Sequence, residues 1–297
     1  MTTKNKISHC LWFDRQAEEA AQYYTSVFSN TLITGMQTNP MDTPSGKANT
    51  ILVATITLEG QDFMLLNGGP HFKPNPSISF MVNCATAEEV ETLWNRLSEG
   101  GTPRMALDSY PFSDKYGWIE DQYGVNWQLI LPKENASQKV VPSLMFVKEN
   151  YGKAEAAVHY YTSIFHDAQP GIFSRYPAGM EPDQEGNIMY ADFTLEGQRF
   201  AAMDSAHDHS FQFDEGVSFE VLCNSQEEID YYWEKLTANG GKEVQCGWLK
   251  DPFGVSWQIT PDIMPELLGS KDPEKAKRAM QAMMQMVKLD MQKLKNA

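Results

Sequence analysis

The sequence predicts an α+β protein made of two tandem copies of one small domain, followed by a helical tail. Three observations predict it. Sequence blocks recur in the same order, a strand–helix–three-strand pattern runs twice within each copy, and 42% of the 297 residues are hydrophobic. That composition is enough for a core in each half and excludes a disordered or fibrous chain.

The duplication rests on four blocks. Tyr23-Tyr24-Thr25-Ser26-Val27-Phe28 returns as Tyr160-Tyr161-Thr162-Ser163-Ile164-Phe165, and Thr57-Leu58-Glu59-Gly60-Gln61 returns as Thr194-Leu195-Glu196-Gly197-Gln198. Both are displaced by 137 residues. Trp94 with Gly100-Gly101 matches Trp233 with Gly240-Gly241. Gly117-Trp118-x-x-Asp121-x-x-Gly124-Val125-x-Trp127-Gln128 returns as Gly247-Trp248-x-x-Asp251-x-x-Gly254-Val255-x-Trp257-Gln258. A repeated order of blocks is the signature of repeated structure. The expected divisions are residues 1–135, 140–262 and a tail of 263–297.

Within the first copy, Ile7 to Phe13 is short and apolar, as a buried strand is. Ala17 to Phe28 has helical spacing, with Ala20, Ala21, Tyr24, Val27 and Phe28 on one side. Strand-like runs follow near 32–38, 50–59 and 62–67, the last two joined by a tight turn at Glu59-Gly60-Gln61. The order then restarts with a strand from Ser77 to Asn83. The next helix, Thr86 to Ser98, opens on a capping box of Thr86 and Glu89. Strands near 103–107, 115–121 and 125–131 finish the copy. The second copy follows the same plan, with helices near 153–165 and 225–238.

The net charge of −15 and pI near 4.8 make nucleic acid a poor partner, because a phosphate-backbone binder needs a basic footprint. The tail after residue 270 is the exception at +4, leaving −19 on the rest. No apolar run approaches a membrane span, and no signal peptide is expected at the N-terminus. The four cysteines, Cys10, Cys84, Cys223 and Cys246, are scattered, which suits reduced thiols in a cytoplasmic protein.

The first helix's Tyr-Tyr-x-x-x-Phe end, the Gly68-Gly69-Pro70-x-Phe72 segment and the closing Gly-Trp-x-x-Asp-x-x-Gly-Val-x-Trp-Gln motif carry a resemblance. The chain resembles the PhnB-like branch of the vicinal oxygen chelate superfamily, the group labelled 3-demethylubiquinone-9 3-methyltransferase domain. The resemblance covers about residues 5–132 and 140–262. It implies that each pair of βαβββ units curls an eight-stranded sheet around a cavity for a small molecule, often held on a divalent metal. It further implies ligand positions on strands: His9, then on or beside Leu65, Ser77 and Gln128 in the first copy. In the second they fall near Ser143, Ala202 or Met203, Val217 and Gln258.

Only His9 among these is a strong metal ligand, and one histidine does not hold a catalytic divalent ion. No metal and no other cofactor is therefore expected. His71, His207, His209 and Asp204 lie nearby, and His207-Asp208-His209 reads as a solvated loop. The methyltransferase label finds no glycine-rich cofactor turn and no doubly wound unit to support it. Asp121 and Asp251 read as turn residues. Alternation along the opening strand puts His9, Leu11 and Phe13 on one face and Cys10 and Trp12 on the other. Gln128 is expected to face the cavity and Trp127 to pack under the helices; Trp118 and Trp248 are read as packing residues in preference to stacking platforms.

The ligand-lining residues expected are thus His9, Leu65, Asn67, Gln128, Ser143 and Gln258, around an uncharged or weakly polar small molecule. Three readings stay open: a binding protein, an enzyme that uses His9 as a base or gains metal through His71, and a scaffold without ligand. Fifteen residues separate His9 from Tyr24 and eighteen separate Ser143 from Tyr161, so the second copy carries a three-residue insertion. His9 favours the first cavity for any chemistry. Asp272-Pro273-Glu274 starts a helix whose Met-rich face, Ala276 to Leu294, packs on the body or on a partner subunit. The fused copies are expected to act as an intramolecular pseudo-dimer, with separate barrels and exchanged halves both open, and with a homodimer through the tail left open.

Overall fold

The computed structural model describes residues 5–134 and 136–297. The first copy contains β1 (Ile7–Phe13), α1 (Ala17–Val27), β2 (Thr31–Thr38), β3 (Ile51–Leu58) and β4 (Gln61–Asn67). It continues with β5 (Ile78–Asn83), α2 (Ala87–Ser98), β6 (Thr102–Tyr110), β7 (Ser113–Glu120) and β8 (Asn126–Ile130). The second copy has β9 (Val140–Phe146), α3 (Ala154–Ile164), β10 (Gln169–Arg175), β11 (Ile188–Leu195) and β12 (Gln198–Asp204). It closes with β13 (Val217–Cys223), α4 (Gln226–Thr237), β14 (Lys242–Glu243), β15 (Trp248–Lys250) and β16 (Ser256–Pro261). The tail holds α5 (Met264–Leu268), α6 (Pro273–Met284) and α7 (Met291–Lys295).

Local chemistry explains the boundaries. Glu59 and Gly60 both have positive φ, as do Glu196 and Gly197, the geometry of a two-residue hairpin turn that follows strand twist. Thr86 Oγ1 accepts from Glu89 N at 3.2 Å, and the Glu89 carboxylate reaches back to Ala85 N at 2.6 Å. Ser225 and Glu228 repeat the arrangement at α4. Asp121 and Asp251 close the last hairpins as turn residues, each with one carboxylate oxygen accepting two backbone N–H groups.

The sheets do not follow the order of the copies. One eight-stranded sheet runs β14-β15-β16-β13-β1-β4-β3-β2, and the other runs β10-β11-β12-β9-β5-β8-β7-β6. Each joins the first half of one copy to the second half of the other through antiparallel pairs, β1 with β13 and β5 with β9. The compact units accordingly cross the repeat boundary. The first comprises the chain up to Ser26, Asn30–Lys73 and Asp214–Ala297, and the second comprises Val27–Ser29 and Pro74–Phe213.

Each sheet has one face under helices and one concave face. In the second unit Tyr161 of α3 stacks on Phe193, which stacks on Phe200 (centroids 6.3 and 5.6 Å apart), marking the helix-covered side. In the first unit β4 alternates buried and half-buried residues, with Gln61, Phe63, Leu65 and Asn67 on the covered side. Asn67 Oδ1 accepts from Ala17 N at 2.9 Å and so tethers the start of α1 to the sheet.

The tail differs from expectation in one respect: its helix is broken. Asp272 caps α6 as predicted, accepting from Glu274 N and Lys275 N. After Met284 the chain leaves helical form, and Met286 O and Val287 O accept from Cys246 N and Gly247 N at 2.8 Å. Those N–H groups lie where the second copy's closing hairpin is short. Gly101 to Gly117 spans sixteen residues, but Gly241 to Gly247 only six, so β14 and β15 are stubs beside β6 and β7. The tail supplies the missing pairing. Its side chains Ala279, Leu289 and Leu294 bury against Met264 and Leu267.

Candidate functional site

The concave centre of the second unit is built on β5, β8, β7 and β9. Register places Met81 opposite Gln128 and Val141, Ser79 opposite Ser143, and Trp118 opposite Gln128. Directly paired residues point the same way, so these side chains share the concave face. Gln128 Nε2 donates to Ser79 Oγ at 2.7 Å, and the Tyr116 hydroxyl donates to Gln128 Oε1 at 2.7 Å. Burial raises the Tyr116 pKa above its ordinary value, which keeps it a neutral donor. Ser143 Oγ sits beside this chain, 1% exposed, with no hydrogen-bond partner among the described residues. Met145, Met203, Trp118, Ile130 and Phe211 supply apolar walls.

The first unit carries the same scaffold with different chemistry. Gln258 Nε2 donates to Ser218 Oγ at 3.0 Å, as Gln128 does to Ser79. Where the second unit has Val141, Ser143 and Met81, register puts Ser8, Cys10 and Glu220. Ser8 Oγ donates to the Glu220 carboxylate at 2.8 Å. Burial pushes the Cys10 thiol up to about 12 against opposing hydrogen bonds from Gln258 and Ser218, so it is neither nucleophile nor ready metal ligand at neutral pH.

The placement of His9, Leu65 and Asn67 in the cavity is corrected. All three lie on the helix-covered face. His9 pairs with Phe63 and Phe219, packs edge-on against both rings at 4.9 and 5.8 Å, and is fully buried. Its Nε2 lies 3.4 Å from Gln61 Oε1. Burial lowers its pKa to about 4, so the ring is a neutral core group. The cause is a one-residue slip: Ser143 pairs with Ser79 as Cys10 pairs with Ser218, so the counterpart of Ser143 is Cys10. The inserted segment before α3 is therefore four residues long, and the preference for chemistry at His9 falls with it.

Gln128, Ser143 and Gln258 do lie on concave faces. So do Trp118 and Trp248, against the expectation that they are packing residues. Trp127 and Trp257 lie under the helices, and each indole donates to the carboxylate of its turn aspartate, at 2.8 and 2.9 Å. Ser79, Tyr116, Ser218 and Glu220 stand on the same concave faces and are not among the residues the sequence singles out. The signal was present for two of them, since Ser79-Phe80 and Ser218-Phe219 recur between copies.

The donors do not suit a divalent metal. The second unit's centre offers only neutral oxygens and an amide, and the first unit's offers one carboxylate beside a protonated thiol. Among the described residues no three His, Cys, Asp or Glu groups gather to hold an ion. Asp204 is instead consumed by the N–H groups of Gly152, Ala154 and Ile188. His209 Nε2 lies 2.8 Å from Ser205 Oγ, and His207 is exposed, 3.7 Å from Asp183.

Residues 5–130 and 138–260 each match the model of the 3-demethylubiquinone-9 3-methyltransferase family. A solved structure described as a putative 3-demethylubiquinone-9 3-methyltransferase, PhnB protein, from Bacillus cereus is 41% identical. The match covers 42% of this chain and 98% of that one, with a TM-score of 0.40. Glyoxalase I from Zea mays is 11% identical across 86% of this chain and 90% of its own, with a TM-score of 0.53, a likeness of fold. No curated protein matches the chain.

Proposed function

This chain belongs to the 3-demethylubiquinone-9 3-methyltransferase family, and we propose that it binds a neutral, weakly polar small molecule on the concave face of its second unit. One observation carries the proposal: the Ser143 hydroxyl, buried and without a partner among the described residues, beside the Tyr116–Gln128–Ser79 chain. A buried hydroxyl without a partner costs about 1–3 kcal/mol, which a ligand carbonyl or hydroxyl would offset. The surrounding methionines accommodate an apolar body of variable shape. Methyl transfer is not part of the proposal, because the sequence has no glycine-rich turn for a nucleotide-like cofactor.

A thermal-shift screen of neutral carbonyl- and hydroxyl-bearing compounds tests this. The expected hits stabilise the wild type and lose their effect in Ser143→Val and Gln128→Leu, while Glu220→Gln retains it. A screen without hits, or hits indifferent to both substitutions, overturns the reading.

The four cysteines, none in a disulfide, support a cytoplasmic setting. Among the described residues no helix is long and apolar enough to cross a membrane. The tail buries Ala276, Ala279, Met280, Met291 and Leu294. A homodimer through it would rest on Met284 and Val287, which stay exposed, so we favour the pseudo-dimer within one chain.

A further inference from the structure

Within the five residues that lead into each copy's last strand, one differs. Gly124-Val125-Asn126-Trp127-Gln128 returns as Gly254-Val255-Ser256-Trp257-Gln258. In the second unit the Asn126 carboxamide joins two groups. Its Oδ1 accepts from the Trp118 indole at 3.1 Å, and its Nδ2 donates to Gly124 O at 3.0 Å. The first unit keeps the tryptophan and the glycine, as Trp248 and Gly254, but Ser256 offers a hydroxyl in place of the carboxamide. That hydroxyl is fully buried and has no partner among the described residues. The Trp248 indole N–H likewise meets no acceptor among them, and Gly254 O lacks the side-chain donor that Gly124 O has.

These groups lie beneath a pair of rings. Trp248 stands on β15 and Trp12 on β1, with β16 and β13 between them, a span of about 14 Å from the usual strand spacing. The rings still meet edge-to-face at 5.8 Å, so together they bridge the intervening strands. Trp248 pairs with Gln258, and Trp12 lies two residues beyond Cys10, so the bridge passes over the row between, Ser256 and Ser218. That roof accounts for the burial of Ser256 on the concave face. The two rings differ in freedom. Trp12 donates to Gly69 O at 2.8 Å and meets Phe72 edge-on at 5.2 Å. Gly68 backs its ring, where a Cβ would lie 2.2 Å away. Trp248 has no such anchor and is half-buried, whereas Trp118, tied to Asn126, is 8% exposed. Lys250, paired with Ser256 across the strands, is engaged by Glu215 at 2.9 Å, so the neighbouring cation is already matched.

We propose that the first unit carries a second ligand site beneath Trp12 and Trp248, selective for a small uncharged amide, with Trp248 as the wall that swings out to admit it. The ligand's carbonyl oxygen accepts from the Trp248 indole and the Ser256 hydroxyl, and its N–H donates to Gly254 O. It thus brings from solution the group that Asn126 provides within the second unit. An amide is the neutral group that holds an acceptor and a donor in one plane. Buried donors and acceptors without partners are costly, and the ligand relieves that cost. The apolar part of the ligand packs on the Trp12 and Phe72 rings. The site is independent of the neutral-ligand site of the second unit, and its success or failure leaves that reading untouched.

Benzamide is the probe, and acetophenone, of the same shape without the N–H donor, is its control. The full chain is labelled with fluorotryptophan, and the Trp248 fluorine signal is identified by its loss in Trp248→Phe. Benzamide is expected to shift that signal saturably in the millimolar range. It is expected to bind about fivefold or more tighter than acetophenone, the worth of one hydrogen bond. Ser256→Asn places an amide of the chain's own in the site, so it should abolish the benzamide response and raise the unfolding midpoint. Ser256→Ala, which removes the hydroxyl without filling the site, should weaken benzamide by a similar factor and decides the matter if the larger residue does not fold. Ser143→Val should leave the Trp248 response unchanged. No saturable shift of the Trp248 signal, equal binding of the two probes, or a benzamide response that survives both Ser256 substitutions overturns the proposal.

Discussion

Asp121 ties the strand that carries Gln128 to its turn, and its replacement gives a quantitative test of how the site is held. One carboxylate oxygen accepts from Tyr123 N at 2.9 Å and Val125 N at 3.0 Å, and the other accepts from the Trp127 indole at 2.8 Å. In Asp121→Asn the amide oxygen can keep both backbone bonds, but its NH₂ then faces the indole N–H, donor against donor. A lost bond to a charged acceptor with a buried donor left unsatisfied costs about 2 kcal/mol. Asp121→Ala leaves all three donors without an acceptor and should cost about 4 kcal/mol. The assay is urea unfolding followed by circular dichroism, run as a double-mutant cycle with Trp127→Phe. Removing the indole donor should make Asp121→Asn nearly neutral, so the coupling energy is expected near 2 kcal/mol. Asp251→Asn with Trp257→Phe should reproduce it, the indole there being 2.9 Å from its carboxylate. A coupling energy below about 0.5 kcal/mol in both cycles refutes the argument, because the aspartates would then be ordinary turn formers.

His9 carries a pH signature. Its folded pKa of about 4 lies below the ordinary value of 6.5, so as pH falls from 6.5 toward 4 the unfolded chain takes up a proton that the folded protein refuses. Stability should fall across that window by about 3 kcal/mol at its full extent. His9→Phe should remove this part of the slope, read as the change in unfolding free energy between neutral and acidic pH in the two proteins; identical slopes would refute it. At the tail, Leu289→Ala should destabilise by about 2–4 kcal/mol, since Leu289 is 1% exposed, packs in the tail's own apolar cluster and lies against Gly247 of the closing hairpin. A loss below about 0.5 kcal/mol would show that the tail contributes little to that unit.

Much of the fold was legible. The repeated blocks marked the copies, and the capping boxes, Glu-Gly turns and Trp-bearing last strands each sit where local chemistry demands. Separate barrels and exchanged halves both stay open in the sequence, because β1 has the same apolar alternation whether its antiparallel neighbour is β5 or β13. Long-range pairing is decided by tertiary packing, and the pattern of a single strand is silent about it. The site was read half correctly for a related reason. Gln128 and Gln258 were fixed by the adjoining tryptophans, whose size assigns them to the helix side. On the opening strand the count from the tyrosines was off by one, and with a period of two a single residue reverses the face. The tyrosine spacing makes His9 the apparent counterpart of Ser143, whereas the strand register makes it Cys10. Glu220 was hidden because the sequence around it, Ser218-Phe219-Glu220-Val221, differs from its partner copy at the one position that matters for charge.

The exchange of halves also sets an order of events during synthesis. Apart from Val27–Ser29, the second unit is one stretch of chain, Pro74–Phe213, and can close its sheet as soon as β12 has emerged. β1 to β4 emerge first and yet must wait for β13, with Ile7 finding Val221 across more than 200 residues of intervening chain. A nascent chain therefore holds an unfinished half-sheet while a later-made neighbour folds ahead of it, and translation slowed near β13 would lengthen the interval in which the first-made strands stand exposed.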